Sequence, residues 1–196
     1  MFTGIIQSIG KISAIIQHGA DSRFVFNAGT MNLSDLSVGD SIAVNGACLT
    51  IIEKDNNSFA ADLSNETLEL TTFSKLGVDS SVNLEKAMQL SDRLNGHMVS
   101  GHVDGIGKVL DMDEDARSVR YSIDVPPALN RYISKKGSVT VDGVSLTINV
   151  VEGNTFSVNI IPHTLSETIF SEYEIGNQVN IEVDLIARYL DQLIVK

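Results

Sequence analysis

The chain has 196 residues, of which 43% are hydrophobic and 20% are charged, and its net charge at pH 7 is −11. An acidic chain offers no cationic surface to nucleic acid or to an anionic membrane, so both are excluded as partners. The single cysteine, Cys48, excludes an internal disulfide and a zinc cluster. The sequence shows neither an apolar run long enough to span a bilayer nor a signal-peptide pattern, so we expect a cytoplasmic protein.

The clearest feature of the sequence is an internal repeat with a fixed offset of 97 residues. Residues 1–12 align with residues 98–109 without a gap, and the same register continues through both halves with identical pairs at Gly46/Gly143, Leu49/Leu146, Thr50/Thr147, Phe59/Phe156, Phe73/Phe170 and Glu85/Glu182. A match at a constant offset indicates two copies of one domain. We therefore predict one domain at 1–97, a second at 98–186, and a separate segment at 187–196.

Each copy is predicted to be a small antiparallel β-barrel. Short segments rich in β-branched and aromatic residues, such as 41–44, 48–52 and 59–63, are typical of strands. Asn45-Gly46 and Asp142-Gly143 are dipeptides that favour positive φ, and they predict tight turns at equivalent places. About six strands in a copy of about 90 residues favour a closed barrel over an open sheet, because a barrel leaves no exposed edge.

The C-terminal segment departs from the repeat and carries the spacing of an amphipathic helix, with apolar side chains at Leu185, Ile186, Tyr189, Leu190, Leu193 and Ile194. Such a short helix is unstable alone, so its apolar face must be buried. The face could pack on its own barrels or in a bundle with other copies. We favour the bundle, since the barrels are already self-contained.

The two copies differ in their titratable and nucleophilic residues, at the pairs Ile5/His102, Cys48/Ser145, Asp62/Asn159, Glu66/His163 and Ala87/Asp184. Unlike groups on equivalent scaffolds suit a reaction between two like molecules in unlike roles. Drift after duplication would produce the same differences.

Each of these residues also has a structural interpretation. Asp184 precedes the predicted helix and could be its N-cap, and Ser145 could cap the turn before it. Cys48 in an apolar strand could be a small hydrophobic residue, and His102 could be a satisfied strand histidine. The residues alone indicate a duplicated β-barrel that binds small molecules.

Six motifs in the same order resemble the riboflavin synthase family: MFTGII at 1–6, NGACLT at 45–50, GHMVSGHVDG at 96–105, VDGVSLT at 141–147, IPHTL at 161–165 and NIEVD at 180–184. The resemblance implies a mainly β fold with two tandem six-stranded Greek-key barrels and a short C-terminal helix that forms a homotrimer. It implies dismutation of two 6,7-dimethyl-8-ribityllumazine molecules, without a cofactor or metal, to riboflavin and 5-amino-6-ribitylaminouracil.

The resemblance also implies the ligand contacts. For the N-terminal barrel they are Gly4, Ile5, Ile6, Cys48, Leu49, Thr50, Asp62, Leu63, Ser64, Asn65, Glu66 and Thr67. For the C-terminal barrel they are Gly101, His102, Val103, Lys136, Ser145, Leu146, Thr147, Ile160, Ile161, Pro162, His163, Thr164 and Leu165.

The chemistry of the implied reaction assigns roles to five residues. His102 is the expected base, because its ordinary pKa is near neutral. Asp184 is expected to orient Ser145 as a nucleophile, Cys48 occupies the equivalent place in the other barrel, and Thr147 is expected to hold the pyrimidine edge or developing negative charge.

One branch of the family consists of lumazine- or flavin-binding antenna proteins without catalytic activity, and this is the alternative function. His97, His102, Ser145 and Asp184 are all present here, which favours the enzyme. A structural trimer without ligand would leave the polar matches between the halves unexplained. In the family, the N-terminal barrel of one subunit pairs with the C-terminal barrel of its neighbour, and lumazine synthase is a further expected partner.

Overall fold

The computed structural model describes residues 1–19 and 21–194, and it confirms a mainly β fold built from two similar halves. The strands of the first half are β1 (Ser8–His18), β2 (Asp21–Asn27), β3 (Ser41–Val44), β4 (Ala47–Thr50), β5 (Glu53–Lys54), β6 (Ser58–Leu63) and β7 (Ser81–Lys86). Those of the second half are β8 (Gly105–Asp115), β9 (Ser118–Asp124), β10 (Ser138–Val141), β11 (Val144–Glu152), β12 (Thr155–Ile160) and β13 (Gln178–Val183).

The described chain also contains three short α-helices and a 3₁₀ helix at Pro127–Tyr132; the α-helices are α1 (Asn65–Leu70), α2 (Pro162–Glu167) and α3 (Leu185–Ile194). Helices α1 and α2 occupy equivalent places in the two halves, each followed by a 3₁₀ turn, Thr72–Lys75 or Ile169–Glu172. Residues 195 and 196 of the predicted C-terminal segment lie outside the described residues. No helix in the described ranges is long and apolar enough to cross a membrane.

The second half is a closed barrel with the strand order β10-β11-β12-β9-β8-β13. The sheet of the first half has the order β4-β3-β7-β1-β2-β6-β5, and its two end strands are consecutive pieces of one segment. Between them, Ile51 N donates to Asp40 O and Ile52 N donates to Ala60 O, both at 2.9 Å. This interrupted segment is the equivalent of β11, so both halves follow one barrel plan.

The predicted turns are confirmed and lie where the two barrels meet. Asn45 and Gly46 have φ of 45° and 77°, and Asp142 and Gly143 have φ of 43° and 80°. A Cβ on Gly46 would lie 2.7 Å from Gly143 N, so the turns touch backbone to backbone and only glycine fits.

Reciprocal hydrogen bonds of two buried asparagines join the barrels at this junction. Asn83 Nδ2 donates to Asp142 O at 2.9 Å, and Asn180 Nδ2 donates to Asn45 O at 2.8 Å. Their Oδ1 atoms accept from the backbone of the opposite half, at Ile169 N and Thr72 N. Because each bond has a counterpart 97 residues away, the halves are related by an approximate two-fold axis.

Candidate functional site

The segment that begins each repeat lies against the barrel of the other repeat. Ser145 N donates to Gly4 O at 2.8 Å, and Cys48 N donates to Gly101 O at 2.7 Å. The two segments run antiparallel through a bridge between Phe2 and Val99, and each then continues onto the opposite barrel. The structure therefore brings Gly4 to Ser145 and Gly101 to Cys48, whereas the resemblance grouped Gly4 with Cys48 and Gly101 with Ser145.

Hydrophobic packing shows the same exchange. Ile6 packs against the core of the second barrel, and Val103 packs against the core of the first. Each segment passes the Phe2–Val99 bridge before it enters its own first strand. Each candidate site is consequently built from both repeats of one chain.

Glycine is required at the two positions, Gly4 and Gly101, where each segment contacts the opposite barrel. Gly4 has φ of 77° and Gly101 has φ of 80°, in the left-handed region that side chains rarely adopt. A Cβ at Gly4 would lie 2.6 Å from Ser145 Cβ, and one at Gly101 would lie 2.6 Å from Cys48 Cβ. The backbone can approach each nucleophilic side chain this closely only because glycine has no side chain.

The site on the first barrel contains a cavity of about 170 Å³. Its lining includes six of the predicted site residues: Cys48, Glu66, Thr67, Gly101, His102 and Val103. The structure thus brings His102 to Cys48 rather than to Ser145.

The site on the second barrel is built around Ser145 and His97. His97 Nδ1 lies 2.7 Å from Ser145 Oγ, within hydrogen-bonding distance. His97 N also donates to Thr3 O at 3.1 Å, which fixes the ring beside the Gly4 crossing. Burial lowers the pKa of His97, while the negative charge of Asp184 acts in the opposite direction. A neutral imidazole beside a hydroxyl is the arrangement of a base and its nucleophile.

His97 was counted among the residues that favour the enzyme, but it was not predicted as a site residue, because it has no counterpart in the repeat. The offset of 97 pairs it with Ile194, in the C-terminal segment that departs from the repeat, so the comparison between the halves did not select it. The signal that the sequence offered was the glycine before it, Gly96. A Cβ at Gly96 would lie 2.0 Å from Thr3 O, so the linker can pass over Ser145 only as glycine.

Asp184 takes the N-cap role that was weighed as the alternative. Its Oδ1 accepts from Ile186 N at 2.9 Å, and its carbonyl accepts from Arg188 N at 3.3 Å, at the start of α3. Asp184 was predicted to orient Ser145, but within the described part of the chain the Ser145 hydroxyl is paired with His97. The charge of Asp184 acts on His97, where it opposes the lowering of the imidazole pKa by burial.

Several other predicted contacts serve the barrels themselves. Leu49, Leu63 and Ile160 are core residues, and Leu146 and Leu165 pack against the core. Ser64 caps α1 by accepting from Thr67 N, and Asp62 pairs with Arg23 at 2.8 Å.

The remaining predicted contacts lie on nearby backbone. Pro162, His163 and Thr164 form the first turn of α2 after exposed Ile161. The other positions are Ile5, which is 42% exposed, Thr50 at the end of β4, Asn65 at the start of α1, Lys136 with φ of 68°, and Thr147, which pairs with Ser138.

Comparison with known proteins places this geometry in a defined class. A family model described as the lumazine binding domain matches residues 3–87 and again 100–184, so the chain is a tandem lumazine-binding-domain protein. Its relatives include riboflavin synthase of Photobacterium phosphoreum, 50% identical over 194 residues, covering 99% of this chain and 89% of the relative. The chain belongs to the riboflavin synthase family.

Two further similarities extend the comparison. Riboflavin synthase of Bacillus subtilis (strain 168) is 44% identical over 190 residues, covering 97% of this chain and 88% of the relative. The crystal structure of LumP complexed with riboflavin has a TM-score of 0.86 and 25% identity, covering 93% of this chain and 99% of that chain.

Proposed function

We propose that the chain is a riboflavin synthase. Two molecules of 6,7-dimethyl-8-ribityllumazine would react, one giving up a four-carbon unit and leaving as 5-amino-6-(D-ribitylamino)uracil, the other accepting it and becoming riboflavin. The carrying observation is the pair of unlike composite sites, Ser145 with His97 and Cys48 with His102. Equivalent scaffolds with different reactive groups suit one substrate used in two roles.

The chemistry needs a base and a group that adds to a lumazine ring. The C7 methyl of the lumazine is acidic because its anion delocalises into the ring, so a neutral imidazole can remove the proton. His97 is suited to this step, because burial lowers its pKa and keeps it neutral at physiological pH. Ser145 is one candidate for addition to the ring and Cys48 is the other.

The transfer is proposed to need no cofactor or metal. Both reacting fragments come from the substrate, and the group transfer is internally balanced in atoms and electrons. Holding two flat rings against each other supplies a proximity effect worth on the order of several kcal/mol. Cytoplasmic residence and contact with lumazine synthase also remain part of this proposal.

Assembly into a homotrimer is proposed from the faces of α3. On one face, Arg188 pairs with Asp104 at 2.6 Å, and Asp191 accepts from Arg131 and Tyr132, which holds the helix on its own barrel. The other face leaves apolar side chains at least half exposed, namely Ile186, Tyr189, Leu190, Leu193 and Ile194. A second and third copy would cover this stripe and bring unlike sites of neighbouring subunits together.

Replacing Leu193 by lysine is expected to shift the protein toward monomers and to lower its activity, because a charge would enter the apolar stripe. Leu193 is 73% exposed in the single chain, so the change leaves the barrel intact. Sedimentation velocity measures the oligomer. Gln192→Lys places the same charge next to the stripe and is the control, expected to stay assembled. A fully active Leu193→Lys monomer would remove the need for subunit pairing.

Purified protein mixed with the lumazine alone is expected to form riboflavin, detected by its absorbance and fluorescence. The alternative function is an antenna protein that binds lumazine or flavin without converting it. The fold similarity to LumP, whose crystal structure is a complex with riboflavin, is compatible with a binding function, whereas 50% identity to a riboflavin synthase favours the enzyme. Lumazine binding without riboflavin formation over hours would favour the antenna.

A further inference from the structure

Two buried glutamates hold the exchanged segments in nearly identical ways. Glu85 Oε1 accepts from Thr3 N and Thr3 Oγ1, both at 2.7 Å, and its Oε2 accepts from Gly4 N at 3.0 Å. Glu182 Oε1 accepts from Ser100 N at 2.7 Å and Ser100 Oγ at 2.6 Å. Its Oε2 accepts from Gly101 N at 3.0 Å. We call each set of three bonds a clasp.

Both clasps are buried, so the free-energy cost of burying each carboxylate depends on the hydrogen bonds that its oxygens accept. Glu85 is 3% exposed and Glu182 is 2% exposed. Burial raises the pKa of both carboxyls, and the hydrogen bonds from the clasped segment lower it. A buried carboxylate is tolerated only when its oxygens are satisfied, and charge-assisted bonds are the strong ones. Both glutamates therefore fix the segments they hold.

The held segments face the opposite barrel. Glu85 lies on β7 of the first barrel, yet the glycine that it holds, Gly4, accepts from Ser145 N on the second barrel. Glu182 lies on β13 of the second barrel, and Gly101 accepts from Cys48 N on the first. Each glycine is bound through its N–H by one barrel and through its C=O by the other.

We propose that Glu85 and Glu182 are crossed positioning residues, with Glu85 setting the wall of the Ser145 site and Glu182 setting the wall of the Cys48 site. Neither carboxylate needs to touch substrate for this role. Glu85 acts through Thr3 and Gly4, and because Thr3 O also accepts from His97 N, it acts on the imidazole as well. The catalytic consequence rests on the proposed function, but the positioning does not.

The test uses Glu85→Gln and Glu182→Gln, each the control for the other. An amide puts one of its own N–H donors against donors of the segment, so each change breaks one clasp with little change in shape. Two reporters inside the chain read the two sites without any substrate. Cys48 is the only cysteine, and its rate of modification by a neutral thiol reagent reports the first-barrel site. The ring signals of His97, assigned with a His97→Asn variant, report the second-barrel site by NMR titration.

The expected result is crossed. Glu182→Gln should raise the Cys48 modification rate by about tenfold, as for loss of a hydrogen bond to a charged group, and leave the His97 titration unchanged. Glu85→Gln should raise the pKa of His97 toward its ordinary value, because a looser wall exposes the ring to water, and leave the Cys48 rate unchanged. The proposal would be overturned if Glu85→Gln changed the Cys48 modification rate and Glu182→Gln changed the His97 titration. It would also be overturned if both reporters changed in both variants.

A second pair of variants covers the case in which a glutamine variant fails to fold. Thr3→Ala and Ser100→Ala each remove one side-chain donor from a clasp and should give the same crossed pattern with smaller shifts. The activity assay is separate: if the chain is a riboflavin synthase, both glutamine variants should lower kcat/KM. Loss of activity with neither reporter moved would overturn the positioning role, whereas crossed reporters in a protein without activity would overturn only the proposed function.

Discussion

Replacing His97 by asparagine is expected to lower kcat by about two orders of magnitude, the usual contribution of a positioned base. The amide keeps a polar atom near Ser145 Oγ, where His97 Nδ1 lies at 2.7 Å, but it cannot accept a proton at physiological pH. Because burial lowers the pKa of His97, the wild-type rate should fall only at a pH below the ordinary pKa of histidine. The rate of the variant should not show this fall at acid pH, because the variant has no imidazole to protonate.

A double-mutant cycle with Ser145→Ala supplies the control for His97. If the two side chains act as a unit, the double variant should be no slower than the slower single variant. Steady-state kinetics from acid to neutral pH measures both effects. An asparagine variant with wild-type kcat would show that His97 only shapes the pocket.

Replacing Asp142 by asparagine is expected to raise the free energy of unfolding near pH 8 by on the order of 4 kcal/mol, at about 1.4 kcal/mol per pKa unit. Asp142 is 2% exposed at the barrel junction, where Oδ1 accepts from Asn180 N at 2.8 Å and Oδ2 accepts from the Tyr173 hydroxyl. Burial raises its pKa from 3.8 to about 7. Asparagine already occupies the equivalent place, with Asn45 Oδ1 accepting from Asn83 N at 2.7 Å.

The sign of this effect follows from proton linkage. Since the folded-state pKa of Asp142 lies above its ordinary value, the stability from this group is complete below pH 3.8 and is lost as the pH rises to about 7. The advantage of Asp142→Asn should therefore be smallest near pH 4 and largest above pH 7. Urea unfolding of both proteins across this range measures the difference.

The mirror variant Asn45→Asp is the matched control for Asp142. It should introduce the same loss of stability with rising pH at the other side of the junction. The loss should be larger there, because Leu76 stands where Tyr173 donates to Asp142. Parallel pH profiles for wild type and Asp142→Asn would contradict the raised pKa of the buried carboxyl.

The fold could be predicted because its determinants are local and repeated. Asn45-Gly46 and Asp142-Gly143 need positive φ, and both turns have it. Helices α1 and α2 escaped prediction, because each spans only 6 residues and neither has a buried side chain that would impose a helical hydrophobic pattern.

The exchange of segments could not be predicted, for a reason inherent in the repeat. Swapping equivalent segments such as those at Gly4 and Gly101 leaves both barrels with the same pattern of residue types. Only the Phe2–Val99 bridge and the contacts to Ser145 and Cys48 distinguish the exchanged arrangement. The comparison of the halves found Ser145 and His102 because each has an unlike partner, and it missed His97 because that residue has none.

The balance of the reaction tests the central claim most directly. The protein is mixed with 6,7-dimethyl-8-ribityllumazine in the presence of a strong chelator, and substrate and both products are quantified by chromatography. The proposed dismutation predicts one riboflavin and one 5-amino-6-(D-ribitylamino)uracil for every two lumazines consumed, at an unchanged rate with chelator. Riboflavin without an equal amount of the uracil, or no riboflavin from bound lumazine, would contradict the account.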